Sequence, residues 1–74
     1  MKKEEKLKEL REQKQKEEKG IADTWNECKQ IANNEECNGD TAARLKGVAG
    51  ALLLRIWDLR EVERAIGLLE SIED

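Results

Sequence analysis

The chain has 74 residues, of which 42% are charged, and its formal net charge is −3. A chain of this length forms one small domain whose core supplies only about 3–5 kcal/mol, and the small negative charge gives no overall signature of nucleic-acid binding. Because His and Tyr are absent, a general base would have to be a carboxylate, a Lys or a thiolate. The carboxylates lie in charge-rich stretches, so we predict no enzymatic activity, no cofactor and no catalytic residue.

Residues 1–19 form a charged segment made almost entirely of strong helix formers. Leu7 and Leu10 are the two leucines that offer apolar contact there. Two interpretations stay open: the segment is a solvated helix, or it frays until a partner covers these leucines. We therefore divide the chain into a charged helical extension, residues 1–19, and a helical core, residues 20–74.

A long apolar pattern occupies the second half of the chain. Its members recur at steps of three and four residues, the period of an amphipathic helix, and no Pro interrupts them. The face is broader than one neighbouring helix can cover, and uncovered apolar surface marks association sites. We predict self-association through this face, which comprises Leu45, Val48, Leu52, Ile56, Leu59, Val62, Ile66, Leu69 and Ile72.

The first helix continues through residues 20–34, where Ile21, Trp25, Cys28, Ile31 and Ala32 share one face. A loop is expected between this helix and the second one, at about residues 35–40. Asn38 and Gly39 end the first helix, because Gly readily takes a left-handed conformation. Asp40 or Thr41 is then expected to cap the second helix.

The predicted fold is all-α, a long antiparallel helical hairpin with helices at about 2–34 and 41–73. Folding the chain about residue 38 pairs positions whose numbers sum to about 76. We expect two such hairpins to pair, with coiled-coil-like packing, into a homodimeric four-helix bundle.

The two tryptophans are predicted to anchor the core of the hairpin. The expected register places Trp57 over Gly20 and Trp25 over Gly50. Each large ring would then meet a position without bulk, which is the alternation that close packing requires.

An alternative fold breaks the second helix at Asp58 and forms a three-helix bundle. Asp58 and Glu61 have the spacing of a capping box, and Trp57 with Val62 would form its hydrophobic staple. The helical phase continues through Asp58 without slipping, and no Gly or Pro supplies a turn there. The pattern therefore favours one long helix.

Cys28 and Cys37 are nine residues apart, with no His anywhere in the chain. One hypothesis is a disulfide that closes a short loop and adds roughly 2–3 kcal/mol. The other is that Cys28 is a small core residue and Cys37 a loop thiol. A zinc site would need ligands from another chain, so we predict no metal site.

Three functions are compatible with these features. We favour a helical protein–protein interaction or assembly module that acts as a homo-oligomer and also has room for another protein partner.

The second function is that of a small regulator, of the type that phages and plasmids encode, that contacts nucleic acid or a replication or transcription protein. Arg60 and Arg64 would make the nucleic-acid contact. Glu61 and Glu63 oppose that contact, so we do not expect nucleic acid as the main partner. The third is an engineered or de novo designed helical protein without biological activity.

The N-terminal sequence contains no apolar core of the kind that a signal peptide needs. The longest uncharged run, residues 47–54, is far shorter than the roughly 20 residues that span a bilayer. We therefore expect a cytoplasmic protein with no membrane partner.

Overall fold

The computed structural model describes residues 2–72, and over that range it is an antiparallel pair of helices. Helix α1 spans Lys2–Asn34 and helix α2 spans Gly39–Ser71, with 33 residues each. They pack side by side along a molecule of 57 × 14 × 12 Å. The hairpin predicted from the sequence is thus confirmed. The absence of Pro and the abundance of Lys, Glu, Leu and Ala explain why two helices of this length form.

Helix α2 begins two residues earlier than expected, because Asn38 is its N-cap. Asn38 has extended backbone angles, and its side-chain oxygen accepts a hydrogen bond from the Thr41 N–H at 2.9 Å. The prediction that Asp40 or Thr41 caps the helix was wrong. Asp40 lies instead in the first turn, where its negative charge complements the helix dipole.

An ion pair closes the loop between the helices. The guanidinium of Arg44, in the second turn of α2, donates to a carboxylate oxygen of Glu35, directly after α1. Because the two residues are nine positions apart, the pair ties the end of α1 to the start of α2.

The C-terminal end of α2 is marked by Ile72, whose backbone N–H donates to the Leu69 carbonyl at 3.2 Å. The predicted end at residue 73 lies outside the described residues.

Helix α2 runs without interruption through Asp58. The three-helix alternative is therefore wrong. Asp58 is exposed, and without Gly or Pro nearby the chain keeps its regular backbone hydrogen bonds in preference to a side-chain cap.

The seam between the helices contains the buried side chains of the hairpin. On α1, half-buried and buried positions recur at steps of three and four, and the buried ones are Leu7, Thr24, Cys28 and Ile31. Val62 is the buried residue of α2. The Thr24 hydroxyl donates to the Gly20 carbonyl at 2.8 Å, so its burial leaves no unpaired donor.

The register of the hairpin agrees with the expected sum of about 76. The Lys3 ammonium donates to the Ile72 carbonyl, and the Arg55 side chain lies against Gly20. Both pairs of numbers sum to 75. Arg55, and not Trp57, therefore covers Gly20, and a methyl group there would come within 2.5 Å of Arg55 Nη1.

Candidate association surface

Trp25 and Trp57 are exposed on the hairpin, with 54% and 66% of their surface accessible. The prediction that they anchor its core was wrong. Side chains two positions apart on a helix point about 200° apart. The rotation of α2 about its axis that places Arg55 against α1 therefore directs Trp57 away from α1. At Gly50, the expected partner of Trp25, no atom of α1 lies within 4 Å of the point where a Cβ would be.

The face predicted for self-association is the face of α2 that turns toward α1. Val62 is buried, and Ile72 is 54% exposed. The remaining members are half-buried: Leu45, Val48, Leu52, Leu59, Ile56, Ile66 and Leu69. A single helix thus covers much of this face, and its role in contact between copies stays a prediction.

A second line of residues follows α2 on the side away from α1, and we call it the outer stripe. Its positions also recur at steps of three and four, and all of them except Asp40 lie two residues from a seam position, about 200° around the helix. Every member is exposed: Asp40, Ala43, Gly47, Gly50, Leu54, Trp57, Glu61 and Arg64. The sequence interpretation missed this stripe. The signal that could have shown it is the spacing of Gly47, Gly50, Leu54 and Trp57, which recur at steps of three and four.

Two shallow grooves meet at Trp57, a member of the outer stripe. One, of about 290 Å³, is lined by Gly50, Leu53, Leu54 and Trp57. Leu53 and Leu54 are 59% and 68% exposed. Large apolar side chains that are this exposed and this close together form a patch of the type that marks association sites.

The second groove, of about 260 Å³, is lined by Trp57, Arg60, Glu61 and Arg64. It brings together the two arginines that the sequence suggested for nucleic-acid contact. Glu61 lines the same groove and reduces their positive potential.

The two cysteines lie in different environments. Cys28 is buried in the seam, Cys37 is exposed in the loop, and both are free thiols. Of the two hypotheses for these residues, the structure agrees with a small core residue at Cys28 and a loop thiol at Cys37, and not with a disulfide. Across residues 2–72, no group of three or more His, Cys, Asp or Glu side chains is arranged to hold a metal ion.

Neither helix of the described range has a stretch that is long and apolar enough to cross a membrane. No family model matches the chain, and no match was found among curated proteins or solved structures.

Proposed function

We propose that this hairpin is a non-enzymatic protein–protein interaction module that self-associates through the outer stripe of α2. The observation that supports the proposal is the exposed apolar patch around Trp57, on the side of α2 that α1 does not cover. Burial of a large apolar side chain contributes roughly 1.5–3 kcal/mol. In a symmetric contact both copies contribute the patch, so the contact would bury two copies of each of these side chains.

The size of the chain supports the same proposal. The described residues contain four buried apolar side chains, Leu7, Cys28, Ile31 and Val62, and the chain has no disulfide to strengthen so small a core. Chains of this length commonly gain the missing stability from oligomerisation. The exposed apolar surface on one face of α2 is where such an oligomer contact could form.

Contact with nucleic acid has weaker support. Arg60 and Arg64 share a groove with Trp57, but Glu61 lies in the same groove and the net charge of the chain is −3. A phosphate backbone would therefore meet a mixed surface and not a basic one.

The fluorescence of Trp57 tests the proposal directly. In a Trp25→Phe variant, Trp57 is the sole tryptophan, and self-association would transfer its exposed ring into apolar surroundings. We expect its emission maximum to move to shorter wavelength as the protein concentration rises. The matched control is Trp57→Phe, whose remaining Trp25 lies outside the outer stripe and should keep its emission maximum. An emission maximum of Trp57 that stays at the solvent-exposed value at every concentration would contradict the proposal.

A further inference from the structure

We infer that the outer stripe pairs in antiparallel orientation with the outer stripe of a second copy, about a two-fold axis beside residue 52. This inference rests on the proposed self-association and specifies its geometry. Positions of the two copies whose numbers sum to 104 would lie opposite each other. The four helices would then lie side by side in the order α1, α2, α2, α1, which differs from the closed bundle expected from the sequence.

The sizes of the side chains along the outer stripe carry the inference. Its first four positions are occupied by small or short residues: Asp40, Ala43, Gly47 and Gly50. Its last four positions are occupied by long or bulky residues: Leu54, Trp57, Glu61 and Arg64. All eight are exposed, so their size order serves no packing purpose within the hairpin.

Antiparallel pairing places each bulky residue opposite a small one. Leu54 would meet Gly50 of the other copy, and Trp57 would meet Gly47. Complementary sizes are what close packing between helices requires. Parallel pairing would instead stack Trp57 on Trp57 and leave a gap between the glycines.

The two glycines of the outer stripe need an explanation that the hairpin does not provide. Gly in a helix interior costs about 0.5–1 kcal/mol relative to Ala. A Cβ at Gly47 or Gly50 would meet no atom of α1 within 4 Å, whereas Gly20 accommodates the Arg55 side chain. The open space above Gly47 and Gly50 is where the bulky half of a second stripe would lie.

The charges at the two ends of the stripe favour the same orientation. Antiparallel pairing brings Arg64 opposite Asp40 of the other copy, at both ends of the contact. Neither residue is in an ion pair within residues 2–72. Parallel pairing would place like charges together at both ends. One edge of the antiparallel contact does bring Lys46 near Arg60, but long side chains at an edge can separate into solvent.

Single cysteines introduced at the stripe test the orientation. In a Cys28→Ala/Cys37→Ser background, Ala43→Cys and Glu61→Cys place one thiol each on exposed stripe positions. In antiparallel pairing, Ala43 of one copy lies about 27 Å along the helix axis from Ala43 of the other copy. This distance corresponds to the 18 residues between positions 43 and 61, at about 1.5 Å per residue. It brings position 43 opposite position 61, where a disulfide can form.

We expect a mixture of the two single-cysteine proteins to form a disulfide between positions 43 and 61 on oxidation, and neither protein alone to form a covalent dimer. Covalent dimers of either protein alone would overturn the antiparallel orientation. A mixture that still self-associates but forms no disulfide would also overturn the antiparallel orientation. That result would leave the proposed function intact. A background protein that is monomeric at all concentrations would overturn both proposals.

Discussion

Replacing Val62 by Asp is expected to unfold the hairpin. Val62 is 6% exposed and lies in the seam against α1, so the carboxylate would be buried without a partner. An uncompensated buried charge costs roughly 3–5 kcal/mol, which is about what a core of this size supplies. Circular dichroism at 222 nm, recorded at low protein concentration, should therefore show the loss of most of the helical signal.

The matched control for this substitution is Leu68→Asp. It also replaces an apolar residue of α2 by Asp, but Leu68 is 67% exposed. We expect it to lower the free energy of unfolding by less than about 1 kcal/mol, chiefly through the helix dipole near the end of α2. Equal effects of the two substitutions would show that Val62 is not part of the core.

Introducing Glu at both Leu54 and Trp57 is expected to abolish self-association while the hairpin stays folded. Both side chains are exposed in the hairpin, so charge there does not disturb the seam. Loss of two buried apolar side chains removes roughly 3 kcal/mol or more of association free energy, which weakens dimerisation at least about 100-fold. Light scattering on a size-exclusion column gives the mass, and circular dichroism confirms the fold.

Trp25→Glu is the control for this double substitution. Trp25 is also an exposed tryptophan, but it lies on α1 and outside the outer stripe. The variant should therefore retain the oligomeric state of the unchanged protein. If Trp25→Glu dissociates the protein and the double variant does not, the contact lies elsewhere on the hairpin.

The hairpin could be predicted from the sequence because its signals are local. Uninterrupted three- and four-residue spacing specified α2, the strong helix formers of residues 1–19 specified the first part of α1, and the polar run ending in Asn38 and Gly39 specified the loop. The register followed approximately from the position of the loop: the Lys3–Ile72 and Gly20–Arg55 contacts sum to 75 and the Arg11–Glu70 ion pair sums to 81, against the expected value of about 76. The N-cap was missed by two positions because Asn38, Asp40 and Thr41 all have side chains that can cap a helix. The residue that caps is the one with extended backbone angles directly before the first helical turn, and here that residue is Asn38.

The rotation of α2 could not be predicted because its apolar residues lie on two opposite sides. Leu52 and Leu59 continue one helical pattern, whereas Leu54 and Trp57 continue another. Each pattern could face α1 in the same register. Since Trp57 is two positions from both Arg55 and Leu59, turning either of these toward α1 turns Trp57 toward solvent. The choice between them is made by the packing of the two helices, which no spacing in α2 alone reveals.

The most direct test of self-association is the mass of the unchanged protein by sedimentation equilibrium across a range of concentrations. Reductant keeps the exposed Cys37 from linking chains covalently. We expect a reversible equilibrium that approaches twice the 8.5 kDa of one chain as the concentration rises. A single-chain mass at every concentration would contradict the proposal that the outer stripe is an interface between copies.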